Sequence, residues 1–247
     1  MVTDDEPIYR KDLAYIHEQG YGFHADICAP GILALLEPVR DRGGVVLEIG
    51  AGSGLLTRHL VRHGLRVIAT DASPAMLDIA RDAVPDAEEV RTLVLPDDPV
   101  PTVDAIVGVG HALNYLPSLE SIHSGLIALA GALKPGGVLA IDLCDVEWGT
   151  LRVGAAPHAR VGEDWAIITR FSQPEPAVFD RDITTFVRQA DGAYRRREEY
   201  HRNVLIDTST VPDLLRRHGV QATIGTTFDD PEYPVPRGLK TVVGHRA

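Results

Sequence analysis

The sequence predicts one α/β domain of 247 residues: a mostly parallel seven-stranded sheet with helices on both faces, an N-terminal helical cap, and an antiparallel β insertion after the fifth strand. Three observations lead there. Between residues 43 and 145, apolar runs of strand length alternate with amphipathic helical stretches, the pattern of parallel strands joined by helical crossovers. The first of those runs ends in a glycine-rich turn that opens a helix. From residue 146 to 209 the helical period is lost, and β-branched and aromatic residues alternate with polar ones. No internal repeat or low-complexity linker divides the chain. Residues 1–42 (cap), 43–145 (core), 146–209 (insertion) and 210–247 (last helix and closing strands) are therefore read as parts of a single domain.

Each element has a local reason. Leu13, Ile16, Ile32, Leu33, Leu35 and Leu36 recur at helical spacing in the cap, with breaks expected at Gly20-Tyr21-Gly22 and at Pro30-Gly31. Gly43-Gly44 introduces the first strand, Val45-Val46-Leu47-Glu48-Ile49-Gly50, and residues 54–64 follow as a helix. Residues 65–71 form the second strand. Ser73-Pro74 then starts a helix with Ser at the N-cap and Pro at the first position. A weaker third strand is expected at residues 90–95 and a fourth at 103–109. A helix at 119–133 is stopped by Lys134-Pro135-Gly136-Gly137, before the fifth strand at 138–143. The insertion holds strands at 165–171, 179–188 and 194–205, with Asp191-Gly192 as a hairpin turn and no helix. A helix at 211–218 and strands at 220–227 and 240–244 close the sheet, giving a Rossmann-like arrangement.

Composition narrows the function. With 45% hydrophobic and 24% charged residues and a mean hydropathy of -0.01, the chain has the balance of a soluble globular protein. Its net charge of -11, from 24 basic and 35 acidic residues, argues against nucleic-acid backbones as partners. No run reaches the roughly 18–20 apolar residues needed to span a bilayer. The acidic start Met1-Val2-Thr3-Asp4-Asp5-Glu6-Pro7 is unlike a secretory signal, so a cytoplasmic protein is expected. Cys28 and Cys144 support neither a disulfide framework nor a metal site, and both are expected as small buried hydrophobes.

The most informative stretch is Glu48-Ile49-Gly50-Ala51-Gly52-Ser53-Gly54, where the first strand hands over to the first helix. Glycines there let the backbone turn sharply and approach a ligand, and the helix behind them offers free N–H groups. A dinucleotide fingerprint would read G-x-G-x-x-G, but Leu55 stands three after Gly52, which weakens a nicotinamide or flavin reading. No P-loop occurs. Asp71 ends the second strand, where a carboxylate can accept bonds from both hydroxyls of a ribose. Together the two features specify an adenosine-like ligand across the carboxyl ends of the strands. Glu48, Gly50, Ala51, Gly52, Gly54 and Asp71 are the candidate contacts.

Here the chain resembles the class I S-adenosylmethionine-dependent methyltransferases over residues 43–145. Val46-Leu47-Glu48-Ile49-Gly50-Ala51-Gly52-Ser53-Gly54 is similar to that family's first motif, and Val67-Ile68-Ala69-Thr70-Asp71-Ala72-Ser73-Pro74-Ala75-Met76-Leu77 to its second. Leu133-Lys134-Pro135-Gly136-Gly137-Val138-Leu139 resembles the turn before its fifth strand. The resemblance implies S-adenosylmethionine as cofactor, with Gly50 and Gly52 facing its methionine part, Asp71 on the ribose, Ala72 and Met76 flanking the adenine, and Val109 beside the donor. Many members carry an acidic residue just after the third strand. This chain has Thr92-Leu93-Val94-Leu95, leaving Asp97, Asp98 or backbone to meet the adenine amino group.

For the acceptor, the fourth strand ends at Gly108-Val109-Gly110-His111-Ala112-Leu113-Asn114-Tyr115, beside the expected methyl group. His111 is the candidate general base because its intrinsic pKa lies near neutrality, while a loop-fixing role is the bland alternative. Asn114 and Tyr115 are read as orienting the acceptor, and Tyr21, between two glycines, as a lid over the donor. Arg170, Tyr200 and His201 are the insertion's candidate acceptor contacts. The reading is methyl transfer to nitrogen or oxygen of a small, uncharged or cationic metabolite, such as an aminosugar or another natural-product intermediate. A homodimer through the insertion is expected, because a three-stranded sheet with an exposed apolar face wants a partner. The rivals are a protein of this fold that binds S-adenosylmethionine without methylating, in a cyclase-like or regulatory role, and a nicotinamide-dependent oxidoreductase. Nucleic-acid methylation ranks last, since Gly110-His111-Ala112-Leu113 stands where base-flipping enzymes place Asn-Pro-Pro-Tyr or Pro-Cys.

Overall fold

A computed structural model describes residues 8–247, so the acidic start of the chain lies outside the described residues. Strands β1 (Val45–Ile49), β2 (Arg66–Asp71), β3 (Glu89–Thr92), β4 (Val103–Gly108), β5 (Leu133–Cys144), β10 (Val220–Gly225) and β11 (Leu239–Arg246) form one sheet in the order β10-β11-β5-β4-β1-β2-β3. Only β11 runs against its neighbours. From β1 the chain moves outward to β2 and β3, then returns to the other side of β1 for β4. The crossovers therefore leave in opposite directions from β1 and β4, which opens a crevice at their carboxyl ends.

Apolar side chains cover both faces. Helices α2 (Phe23–Asp41) and α3 (Leu55–Arg62) bury Ile32, Leu36, Val39, Leu56 and Leu60 on one face. Helices α5 (Leu119–Ala132) and α7 (Val211–Arg217) bury Ile122, Leu126, Leu129, Val211 and Leu215 on the other. Helix α4 (Pro74–Ala83) starts as expected, with the Ser73 hydroxyl accepting from the Met76 N–H at 3.2 Å. Cys28 and Cys144 are free and buried.

Several boundaries moved. Helix α1 (Lys11–Gly20) ends at the glycine pair, but Pro30-Gly31 does not interrupt α2. The stripe of Ala29, Ile32 and Leu36 stays buried, and Gly31 packs so tightly on Phe228 that a Cβ there would meet its carbonyl at 2.3 Å. Packing on both sides outweighs the hydrogen bond that Pro30 cannot make. Strand β3 stops at Thr92, short of the expected 95, and β5 begins at Leu133 with residues 134–137 as an irregularity in its pairing to β4.

The insertion has four strands, not three: β6 (His158–Val161), β7 (Trp165–Glu175), β8 (Val178–Arg188) and β9 (Tyr194–Val204), all antiparallel, preceded by the one-turn helix α6 (Glu147–Thr150). β6 escaped notice because it is short and exposed, its Val161 being 80% accessible. The apolar face of this sheet does not await a partner copy. Trp165, Ile167, Ile183 and Val187 pack against Leu13 and Ile16 of α1 in the same chain, which removes the reason for expecting a dimer there.

Candidate active site

Gly50, Gly52 and Gly54 all have positive φ, at 62°, 57° and 88°, so the turn after β1 takes a path that L side chains resist. A Cβ on Gly50 would stand 2.4 Å from that of Ala112. Asp71 locks the turn to β2: one of its oxygens accepts from the Gly52 N–H and the other from the Ser73 N–H, each at 2.8 Å. Burial raises the Asp71 pKa, and the N–H groups of Ser73, Gly52 and Ala72 oppose it. Glu48 is 2% exposed and accepts from the Thr57 hydroxyl at 2.7 Å. Burial pushes it up to about 8, despite the bond from Thr57 and with the charge of Asp71 adding to the rise.

This turn forms one end of a cavity of about 1140 Å³. Glu48, Gly50, Ala51, Gly52, Asp71, Ala72, Met76 and Val109 line that end. So do Leu93, Leu95 and Asp97, whereas Asp98 is folded back to accept from the Val94 N–H at 2.7 Å. Tyr21 closes over it, stacked on His17 with ring centroids 5.7 Å apart. Gly54 does not reach the cavity; its α-carbon faces Val84, and its role is to turn the chain into α3.

At the other end stands His111, itself at φ 53°, an uncommon conformation for a residue with a side chain. Asp142 of β5 holds it there. Its oxygens accept from the His111 N–H at 2.5 Å, the Gly110 N–H at 3.0 Å and the His24 ring at 2.7 Å. Burial pulls Asp142 up, and the bond and charge of His24 outweigh it, so the carboxyl stays ionised. The His111 ring lies between Tyr115 and Trp148, 5.8 and 5.7 Å away, with both nitrogens buried and unpartnered. Burial, reinforced by the charge of Arg181, lowers it to about 3. His111 therefore enters the site as a neutral imidazole, not as the near-neutral titrating base that its intrinsic pKa suggested. His17, beside the glycine turn, is lowered to about 4, chiefly by burial. His24, Cys28 and Asp142 bring ligand atoms within 4.8 Å of one another, but the Asp142 oxygens already serve three donors.

Behind His111 the insertion supplies a polar wall. Arg181 of β8 donates through Nη2 to the Tyr115 hydroxyl and to Asn203 Oδ1, the latter at 3.1 Å. The hydroxyls of Tyr115 and Tyr9 are 3.0 Å apart. Ile167, Thr169, Phe171, Phe179 and Ile183 add to the lining from this sheet, as do His158 and Ala159 of β6, with Trp148 and Arg152 from the segment before it.

The expected acceptor contacts fare unevenly. Tyr115 lines the cavity. Asn114 is fully buried and does not: it is a clamp between Cys144 and Val204. Arg170 is exposed because strand alternation turns it away from the inward-facing Thr169 and Phe171. Tyr200 likewise lies on the outer face, taking a bond from Arg202 at 2.9 Å. His201 sits one layer behind the wall, with Nε2 3.0 Å from Glu199 and Nδ1 3.5 Å from the Tyr115 hydroxyl. Sequence reasoning missed Tyr9, His17, His24, Trp148, Arg152 and Arg181. One signal was available: Arg181 lies between Phe179 and Ile183 on the apolar face of an alternating strand.

Comparison with known proteins agrees with this geometry. Residues 47–139 match the family described as a methyltransferase domain. The chain is 35% identical over 109 residues to an uncharacterized methyltransferase of Alkaliphilus oremlandii, covering 44% of this chain and 50% of that one. It spans about half the length of the curated relatives it matches. Among solved structures, an S-adenosylmethionine-dependent methyltransferase from Clostridium acetobutylicum superposes with a TM-score of 0.78 at 16% identity, covering 95% of this chain and 97% of that one. The sugar N-methyltransferase KedS8 from Streptoalloteichus superposes at 0.77 and 21% identity, covering 100% and 98%. At these identities the likeness shows the fold alone.

Proposed function

We propose that this chain, a class I S-adenosylmethionine-dependent methyltransferase by its fold and by the methyltransferase domain at residues 47–139, methylates nitrogen or oxygen of a small metabolite enclosed between the core sheet and the insertion. One observation carries the reading: a single cavity joins the Gly50–Gly52 turn and Asp71 to a second chamber walled by His111, Tyr115, Phe171 and Phe179. A donor and an acceptor can therefore lie in contact within it.

The residues at the first end fit the donor. Asp71 retains lone pairs for ribose hydroxyls after accepting two N–H bonds, and Ala72 and Met76 offer an apolar slot for a purine. A Cβ built on Gly52 would have no neighbour nearer than 3.8 Å, so its backbone borders open space. When bound, S-adenosylmethionine supplies an electrophilic methyl group on a sulfonium. The chain's own contribution is position: holding the acceptor in line with that methyl converts an encounter into a near-unimolecular step. His111, neutral and with two free nitrogens, can accept a hydrogen bond from an acceptor O–H or N–H and orient its lone pair. Tyr21 and α1 exclude water.

The Gly50–Gly52 turn also carries the case against a nicotinamide cofactor, because the G-x-G-x-G spacing lacks the third fingerprint glycine, whereas Asp71 would serve the ribose of either ligand. Calorimetric titration with S-adenosylhomocysteine and with NAD tests this. Binding of NAD and not of S-adenosylhomocysteine would overturn the donor reading. Labelled S-adenosylmethionine with a metabolite extract tests transfer, and donor binding without transfer to any acceptor would favour a non-methylating role. A natural-product intermediate, with aminosugars among the candidates, is the acceptor class we infer, supported by the sugar N-methyltransferase among the superposable structures.

A further inference from the structure

We infer that the acceptor carries a carboxylate on an apolar body, anchored by Arg181 with Arg152 beside it; this rests on the reading of the cavity as a methyl-transfer site. It replaces the small, uncharged or cationic acceptor expected from the sequence; the net charge of -11 is compatible with that acceptor, but the charge of a whole chain does not set that of one pocket.

Arg181 projects from the middle of β8 into the apolar inner face of the insertion, with Phe179 and Ile183 two residues away on either side. Its guanidinium has five N–H donors, and Nη2 alone is engaged, by two neutral oxygens. Nε is buried and has no partner. Among the described residues no carboxylate lies within 4.0 Å of Arg181 or of Arg152. Glu199, one strand away, is already taken by His201 and the Arg10 N–H. Arg152 stacks on Trp148, 3.1 Å from the ring centroid, and bonds only the Trp148 carbonyl.

Among the described residues, two guanidiniums thus border one chamber without a counter-ion. Both are half-buried, so each gives up part of its hydration with no opposite charge to offset the loss, and an arginine cannot escape by losing its proton. The cavity's own acids, Glu48, Asp71 and Asp97, all lie at the donor end. An anion brought by the acceptor would supply the missing partner, and a planar carboxylate suits the guanidinium fork. Trp148, Phe171, Phe179 and Ile167 would enclose the rest of the molecule. Among natural-product intermediates this selects acids over plain aminosugars.

The test uses the whole chain saturated with S-adenosylhomocysteine and three probes: 3-phenylpropionate, its neutral amide, and phenyl phosphate, followed by calorimetry and tryptophan fluorescence. The acid should bind about tenfold or more tighter than the amide, as one charged hydrogen-bonded contact requires. R181Q should abolish that preference and leave affinity for S-adenosylhomocysteine within about twofold. R152Q, at a more exposed site, should weaken the acid several-fold and leave the amide unchanged. Equal binding of acid and amide, tighter binding of phenyl phosphate, or no saturation by the acid up to about 10 mM would each overturn the proposal. So would a tenfold loss of S-adenosylhomocysteine in R181Q, which would put Arg181 on the donor's own carboxylate. If S-adenosylhomocysteine fails to bind the unmutated chain, the donor reading falls, while acid against amide on the protein alone still tests the anchor.

Discussion

Asn114 offers the sharpest separation of a structural from a substrate-binding role. Its Nδ2 donates to the Val204 carbonyl at 2.6 Å and the Cys144 carbonyl at 3.2 Å, and its Oδ1 accepts from the Cys144 N–H at 2.8 Å. Cys144 ends β5 and Val204 ends β9, so one side chain ties the core sheet to the insertion that roofs the cavity. In N114A the Cys144 N–H loses its acceptor and the Val204 carbonyl its side-chain donor, while the Cys144 carbonyl keeps the Ile206 N–H at 3.2 Å. At about 1–3 kcal/mol for each buried group left unsatisfied, the loss should be about 3 kcal/mol, a large part of the stability of a typical domain. N114D should be worse, because a carboxylate oxygen would face two carbonyl oxygens where an amide now donates. Denaturant unfolding measures both, alongside S-adenosylhomocysteine affinity under conditions where the variants are folded. The reasoning fails if N114A loses less than about 1 kcal/mol, or if it is stable and binds donor yet no longer turns over, since Asn114 would then touch substrate.

In G50A a side chain enters the left-handed region, at about 1 kcal/mol, and its Cβ would stand 2.4 Å from that of Ala112. S-adenosylhomocysteine affinity should drop about tenfold or more; an unchanged titration would argue that the turn does not hold the donor. His111 and His17 have folded pKa values of about 3 and about 4, below the usual 6.5. Below pH 6.5 these two side chains take up protons in the unfolded chain that the folded one refuses, so their contribution to stability is intact above 6.5 and lost as pH falls toward 3. H111N, whose side chain tolerates the left-handed conformation, should remove about one proton's worth of that slope; an identical slope in both proteins would count against a buried neutral His111. Glu48 runs the other way. Its folded pKa of about 8 exceeds the usual 4.5, so its contribution to the stability of the donor-free chain falls as pH rises from 4.5 to 8; above 6.5, where the two histidines no longer oppose it, the decline should show directly, and E48Q should flatten it. An identical decline in wild type and E48Q between pH 6.5 and 8 would show that Glu48 is solvated.

The succession of strands and helices, the glycine turn and Asp71 could all be read before any coordinates, because each depends on residues close in the chain. An apolar run of strand length, a Ser-Pro helix start or a G-x-G-x-G turn has one dominant local conformation, and together they force a parallel sheet with its crevice at the carboxyl ends. Where local signals fail in this part of the chain, a distant contact is the reason. Pro30 looks like a helix breaker until Phe228, nearly two hundred residues away, is found packed against Gly31.

The acceptor chamber could not be read that way. Arg181, Tyr115, Tyr9 and His201 come from four separate stretches of chain and meet only because β8 and β9 fold across the end of the core sheet. Arg170 and Tyr200 were chosen for their chemistry, and strand alternation then turned both outward, while their neighbours Thr169 and His201 faced inward. His111 was identified by position, yet its proton affinity depends on burial and on a guanidinium seventy residues further along. The proposed donor contacts thus rest on a contiguous backbone motif. The proposed acceptor contacts rest on long-range side-chain encounters and the charges they leave unpaired, which exist only once the insertion has closed over the sheet.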